Sequence, residues 1–486
     1  MPDTPVISQP LFSEAVPLVI DLDGTLLHGN LLAESALALL KNSWLNVFKL
    51  PFWLSKGKAV LKQEIASRVS LDVSALPFNQ ALIERLKEQR LNGRALVLAT
   101  ASHRKFADQV QEHLQLFDKV LASDSDHNLS AHTKRDALVA LYGERGFDYA
   151  GNSRDDLPVW QACRQAWVVN ASEGVEAVAR AQSTVAVAMH GVPPARAAWI
   201  KALRLHQWLK NLLIFVPLLA SHQIAQPGQL WRGLIAFVAF GLCASSVYVL
   251  NDLLDVADDR HHSTKSKRPF ASGALSLAAG LVAFPMLLIA AFALALALLP
   301  WQFAAALGAY YLITLAYSLG LKRMVMVDVI TLAVLYTQRI VAGTFAFAVN
   351  LTFWMLAFSM FIFLSLALVK RYTELREARQ MGASSQARGR GYFPDDLEMI
   401  ASLGAASGYL SILVLALYIQ DKATAALYQR PELIWLTCPL LLYWVGRTWL
   451  LTHRGQMHDD PVVFAIKDRA SLTVGLLFGL IFWLAK

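Results

Sequence analysis

Hydrophobic positions follow two different patterns along this chain. Up to about residue 190 they come in short runs such as Leu18–Ile20 and Leu96–Ala99, which end at polar residues and alternate with mixed stretches. That pattern predicts an α/β domain with buried strands, and about residues 28–90 read as a small helical cap inside it. From about residue 205 the chain becomes a succession of long apolar runs. A window of about twenty residues places nine spans, at 206–222, 232–251, 276–298, 301–319, 326–346, 352–370, 399–419, 433–451 and 470–485. The predicted fold is therefore an α/β domain over 1–190, a linker around Val192-Pro193-Pro194, and an all-α membrane bundle over 196–486.

Composition agrees with a membrane protein, since 56% hydrophobic and 16% charged residues are too apolar for a soluble enzyme of this size. Basic residues fall on alternate loops. Arg260, Lys265, Lys267 and Arg268 occupy one, Lys322 and Arg323 the next, and Lys370, Arg371, Arg376, Arg379, Arg388 and Arg390 another. The positive-inside rule then puts the N-terminal domain and the polar chemistry on the cytoplasmic side of an inner membrane. The net charge of +8 is read as orientation, with no nucleic-acid partner, because no basic-aromatic surface pattern accompanies it. The first twenty residues lack a basic n-region and an A-x-A site, so no cleavable signal is expected. Cys163, Cys243 and Cys438 are scattered without pairing logic, which fits a reducing compartment for the soluble half.

The apolar run ending at Leu250 is followed by Asn251, Asp252, Asp255, Asp258 and Asp259, then Lys265, Lys267 and Arg268. On a helix, positions 252, 255 and 259 lie close to one face. A carboxylate at the bilayer centre costs roughly 2.5–3.5 kcal/mol, and clustered carboxylates also repel one another. A divalent cation relieves both costs, and hard oxygen ligands with an open side suit Mg2+ holding a diphosphate. Other polar groups stand at the same ends of spans: Lys210, Tyr317, Lys322, Asp328, Arg339, Lys370 and Arg371.

Asn251-Asp252-x-x-Asp255-x-x-x-Asp259 resembles the first aspartate-rich motif of the UbiA superfamily of intramembrane prenyltransferases. With Gln207-Trp208-x-Lys210-Asn211, Lys265-Ser-Lys267-Arg268-Pro269 and Lys370-Arg371-Tyr372-x-Glu374, it is similar to the decaprenyl-phosphate phosphoribosyltransferase branch. Two positions depart: Ser263 stands where that branch usually has proline, and Leu332 where many members complete a DxxxD motif begun by Asp328. The resemblance implies that polyprenyl phosphate attacks C1 of phosphoribosyl diphosphate. Asn251, Asp252, Asp255 and Asp259 would be the Mg2+ ligands, with Asp252 and Asp255 catalytic. Lys210, Lys265, Arg268, Tyr317, Lys322, Asp328, Arg339, Lys370 and Arg371 would bind substrate. The same acids would equally serve transfer from a prenyl diphosphate to an aromatic acceptor.

In the soluble half, Val19-Ile20-Asp21-Leu22-Asp23-Gly24-Thr25 is an apolar strand ending in two carboxylates that point the same way, with Gly24 permitting the turn beyond. That suits an aspartyl nucleophile, a neighbouring acid/base and one Mg2+. With Thr100 after a second strand, Lys134, and Gly151-Asn152-Ser153-Arg154-Asp155-Asp156, the order resembles the four motifs of the haloacid dehalogenase (HAD) superfamily, which implies a Rossmann-like domain. The roles implied are Asp21 as nucleophile, Asp23 as acid/base, Thr100 and Lys134 for phosphate, and Asp21, Asp23, Asn152 and Asp156 at the metal. Asn152 departs from the aspartate of GDxxxD. Ser102 and His103 read as loop residues. Trp44, Phe48, Phe52 and Trp53, interleaved with Lys41, Lys49, Lys56 and Lys58, read either as cap core or as an interfacial anchor on membrane lipid.

Together these readings predict a two-step enzyme. The bundle makes a polyprenyl-phosphoryl phosphoribose, and the HAD domain removes its 5-phosphate. Aromatic prenyl transfer, or a scaffold or transporter with vestigial sites, are the other readings.

Overall fold

The structure, a computed structural model, describes residues 16–124, 128–190, 195–262, 264–380, 391–421, 428–457 and 460–486. The Val192–Pro194 linker, Ser263, Arg388 and Arg390 lie outside them. The chain forms two compact units, one of residues up to Leu203 with Val249–Ala283, the other of Arg204–Tyr248 with Phe284–Lys486.

The first unit is built on six strands: β1 (Leu18–Ile20), β2 (Leu96–His103), β3 (Lys119–Ser123), β4 (Asp148–Gly151), β5 (Ala166–Val169) and β6 (Val185–Met189). They form one sheet in the order β3-β2-β1-β4-β5-β6, and every adjacent pair is parallel. Both faces are covered, so the central strands are continuously apolar, with all three residues of β1 fully buried. Alternate residues serve opposite faces: Leu18, Ile20 and Leu98 pack in one cluster, Val19, Val97 and Ala99 in the other. Strand order reverses at β1, between β2 and β4, and in such sheets the crevice beyond the strand carboxyl ends there is the ligand position. Asp21, Asp23 and Asn152 follow directly on β1 and β4.

Helices fill the interval between β1 and β2. Helix Leu31–Asn42 starts at Asn30, whose Oδ1 accepts from Leu32 N and Ala33 N at 2.9 and 3.2 Å. With helices Lys49–Ser55 and Lys58–Ala66 it buries a small core of Leu39, Trp53, Leu61, Ile65 and Val69. Trp53 belongs to this core, as the cap-core reading expects, while Phe48 and Phe52 are 72% and 59% exposed.

The second unit is helical. Among the described residues seven helices are long and apolar enough to cross a membrane: Gln229–Leu254, Leu277–Leu298, Trp301–Leu319, Val327–Phe347, Phe353–Gln380, Pro394–Gln420 and Pro431–His453. An eighth span results if Pro461–Lys467 and Arg469–Ala485, bent by 80° at Asp468, count as one. This corrects the prediction of nine. The run placed at 206–222 is an eleven-residue 3-10 segment, Leu205–Phe215, followed by the short helix Val216–Ala220. Its apolar composition passes a hydropathy window, but Lys210 and Asn211 turn inward to polar partners. Pro217 at the start of the second piece also lacks a backbone donor. The segment packs tightly, since a Cβ on Gly343 would lie 2.1 Å from the Ile214 carbonyl oxygen, a close approach of the kind small residues permit between membrane helices.

Candidate functional site

In the first unit, Asp21 and Asp23 face a cleft of about 510 Å3 at the carboxyl ends of β1 and β4. Lys134, from helix Ala131–Tyr142, donates to Asp21 Oδ1 at 2.7 Å and to the Tyr149 hydroxyl at 2.9 Å, and lies 3.8 Å from Asp156 Oδ1. Tyr149 in turn donates to Asp156 at 2.7 Å. Asp156 Oδ2 accepts from Asn152 N, Ser153 N and the Ser153 hydroxyl, each at 3.0 Å, so this carboxylate also fixes the turn after β4. Asp23 accepts from Leu31 N at 2.7 Å and from the Ser102 hydroxyl at 2.6 Å. Thr100 is fully buried, and its hydroxyl accepts from Ser102 N at 3.0 Å. Ser102, read from the sequence as a loop residue, is thus the orienting partner of Asp23. Its only signal was its place two residues beyond Thr100.

Burial pushes the Asp21 carboxyl up to about 7, against the pull of Lys134 and with the repulsion of Asp156 and Asp23 adding to it. Asp23 is also raised by burial, opposed by its bond from Ser102. Burial alone would lower Lys134, but attraction to Asp21 and Asp156 outweighs it and raises this amine. The site therefore holds more buried carboxylate than one lysine balances. Two carboxylates, the Asn152 carbonyl and nearby backbone oxygens are hard donors that suit Mg2+, although among the described residues no three His, Cys, Asp or Glu side chains form a metal cage. Asn152 lies against Gly24, whose φ of +81° no side chain would readily adopt, and its Oδ1 is 3.4 Å from the Thr25 hydroxyl.

The aspartate-rich segment closes the helix Gln229–Leu254. The helix breaks at Asp255 and resumes as Val256–Arg260, but Asp255 N still bonds Asn251 O, and Asp259 N bonds Asp255 O, at 2.9 and 2.8 Å. The predicted helical spacing therefore survives the break. Asp252 and Asp259 are buried and converge on one atom, Arg268 Nη1, at 3.1 and 2.7 Å. Two carboxylates aimed at one positive centre form a donor set that fits a divalent cation. Asn251 and Asp255 are partly exposed, Asp258 points outward to Lys41 at 2.8 Å, and Lys265 is exposed in the turn Lys265–Lys267.

In the second unit Lys210 donates to Asp460 at 2.6 Å, Lys370 lies 3.7 Å from the same carboxylate, and the Tyr336 hydroxyl is 3.3 Å from both its oxygens. Sequence reasoning missed Asp460, which is 250 positions from Lys210 in an ordinary polar stretch. Arg339 is buried beside this group, donating to Asn211 Oδ1 at 3.1 Å and the Tyr310 hydroxyl at 3.2 Å. Asp328 and Arg371 form a fully buried ion pair at 2.6 Å, with the Tyr392 hydroxyl donating to Asp328 at 2.6 Å. Tyr317 and Lys322 are partly exposed at the end of helix Trp301–Leu319 and in the turn after it.

Residues 213–478 match the UbiA prenyltransferase family. The chain belongs to that family. A Sinorhizobium fredii protein described as uncharacterized protein y4nM is 34% identical over 99% of this chain and 93% of its own length, so both halves recur together in that UbiA relative. The decaprenyl-phosphate phosphoribosyltransferase of Mycolicibacterium smegmatis is 30% identical over 56% of this chain and 86% of that enzyme. Among solved structures, a UbiA homologue from Archaeoglobus fulgidus bound to GPP and Mg2+ is 16% identical, covering 59% of this chain and 99% of that one with a TM-score of 0.45.

Proposed function

We propose that this UbiA-family protein transfers a 5-phosphoribosyl group from phosphoribosyl diphosphate to a polyprenyl phosphate, and that its N-terminal half then acts as an HAD-type phosphatase on the product. Prenyl transfer is the reaction in the family's own description, and it remains the better-backed coarse reading. The phosphoribosyl reading goes further and is supported by the 30% identity to an enzyme with that activity, together with the Lys265–Pro269 and Lys370–Glu374 motifs.

The carrying observation is the convergence of Asp252 and Asp259 on one cationic atom. Those two, with Asn251 and Asp255, would hold Mg2+, which neutralises a diphosphate leaving group. The lipid phosphate oxygen bonds to C1 of the ribose while the C1–O bond to diphosphate breaks. Arg268 stands ready to bind phosphate oxygens once the aspartates have another cation. In the second unit, Lys210 and Lys370 are the candidate anion-holding groups, with Asp460 balancing their charge.

For the phosphatase step, an Asp21 oxygen attacks phosphorus and the ester P–O bond breaks. Asp23, kept able to hold a proton by burial, protonates the departing sugar oxygen, then takes a proton from the water that hydrolyses the aspartyl phosphate. Inorganic phosphate leaves and Asp21 is regenerated. Lys134 offsets charge on the phosphoryl oxygens. A bound Mg2+ at Asp21, Asp23 and Asn152 would add further charge neutralisation.

The donors separate the two transfer readings. Purified protein given phosphoribosyl diphosphate with polyprenyl phosphate, or prenyl diphosphate with 4-hydroxybenzoate, should form labelled product only from the first pair. Product from the second pair alone would establish prenyl transfer instead.

A further inference from the structure

The cleft over Asp21 and Asp23 is not walled by the sheet domain alone. Gly273, Ala274 and Ser276, from the turn after the aspartate-rich segment, line it together with Lys134 and within the same compact unit. The turn is built to lie there. Gly273 has a φ of +77°, and a Cβ on it would stand 2.6 Å from His28 Cβ, so only glycine lets the two backbones approach this closely. Arg260 anchors the turn from behind, donating to Ala271 O at 3.0 Å while pairing with buried Glu34 of helix Leu31–Asn42.

The chemistry of this wall differs from that of the phosphate end. Asn170 sits in left-handed backbone (φ +54°) at the end of β5, with Nδ2 3.4 Å from His28 Nδ1. Its Oδ1 is buried and has no hydrogen-bond partner among the described residues. Asn170 itself lines the cleft, so the unspent acceptor capacity of its amide lies beside any ligand bound there. Ser276 Oγ accepts from Ala279 N at 3.1 Å, which leaves its hydroxyl proton available to donate. Amide, imidazole and hydroxyl groups together match an alcohol-rich ligand, and about 510 Å3 accommodates a sugar phosphate.

We infer that His28, Asn170 and the Gly273–Ser276 turn form a sugar-hydroxyl subsite, so that the phosphatase takes the phosphomonoester of a sugar in preference to other phosphomonoesters. The inference rests on the phosphatase reading of Asp21 and Asp23. It makes the segment following the transfer motif a specificity element of the hydrolytic pocket. A site with an unpaired polar group rejects analogues lacking the matching hydroxyl.

The test uses the full chain in detergent with Mg2+, comparing kcat/KM for ribose 5-phosphate and for p-nitrophenyl phosphate. Wild type should favour the sugar phosphate at least tenfold. Asn170→Gly, which keeps the left-handed backbone and deletes the amide, and Gly273→Ala, which pushes the turn off His28, should each cut that preference at least tenfold. A wild-type preference below twofold, or an unchanged ratio in both variants, overturns the subsite while leaving the phosphatase intact. If wild type hydrolyses neither compound faster than Asp21→Ala, the phosphatase reading itself falls, and the subsite with it.

Discussion

Arg260 meets Glu34 in a two-point ion pair, Nη2 to Oε1 at 2.6 Å and Nη1 to Oε2 at 3.1 Å, with both side chains at most 7% exposed. One partner belongs to the aspartate-rich segment and the other to the helix that Asp23 helps to start. The Nε of Arg260 donates to the Ala271 carbonyl at 3.0 Å. Through one guanidinium, the turn after the aspartate-rich segment is fixed to the helix whose first residue donates to Asp23.

Removing one member leaves a buried charge without its partner. Arg260→Ala is predicted to destabilise the first unit by about 3–5 kcal/mol. Adding Glu34→Gln should recover much of that loss. The thermal midpoint of the full chain in detergent, compared across both single variants and the double, measures it.

Asp252→Ala deletes one of the two carboxylates that converge on Arg268. Transfer activity should fall about 10²–10³-fold, as when one preorganised electrostatic group is lost from a charge-stabilising site. Arg68→Ala, an exposed arginine elsewhere on the first unit, serves as the control for purification and folding. Initial rates with labelled donor give the comparison.

Asn152 supplies only a neutral oxygen where the HAD motif carries a carboxylate. Asn152→Asp adds a full charge to the ligand set, and the Mg2+ concentration for half-maximal phosphate release should drop about tenfold. Mg2+ titration of phosphate release from ribose 5-phosphate checks it. An unchanged or raised half-saturation would remove Asn152 from the metal site.

Lys210 and Asp460 share a buried contact at 2.6 Å, so their substitutions should not be additive. Lys210→Met and Asp460→Asn, singly and together, are predicted to show a coupling of about 0.5–3 kcal/mol in thermal stability. Additivity would place each residue on an independent role.

Much of the cleft around Asp21 was legible in the sequence, because Asp21, Asp23 and Asn152 follow β1 and β4 and the sheet brings those strand ends together. The aspartate spacing was legible for a similar reason, since helical hydrogen bonding continues through Asp255. Ser102 and Asp460 were hidden, because each acts through a partner far away in sequence, at Asp23 and Lys210. The miscount of spans has another cause. Hydropathy weighs composition, and Leu205–Phe215 is apolar enough to pass although it is wound as a 3-10 segment around inward-facing Lys210 and Asn211. The wall supplied by Gly273–Ser276 gave no signal, because a small polar turn reads as a loop wherever it lies.

The central claim is a transfer step followed by hydrolysis in one chain. The direct measurement follows lipid products from polyprenyl phosphate, Mg2+ and radiolabelled phosphoribosyl diphosphate, using wild type, Asp252→Ala and Asp21→Ala proteins. The account predicts labelled lipid without a phosphomonoester from wild type, no labelled lipid from Asp252→Ala, and accumulated phosphorylated lipid from Asp21→Ala. The same lipid from wild type and Asp21→Ala, or no labelled lipid from a folded, membrane-extracted wild type, would contradict it.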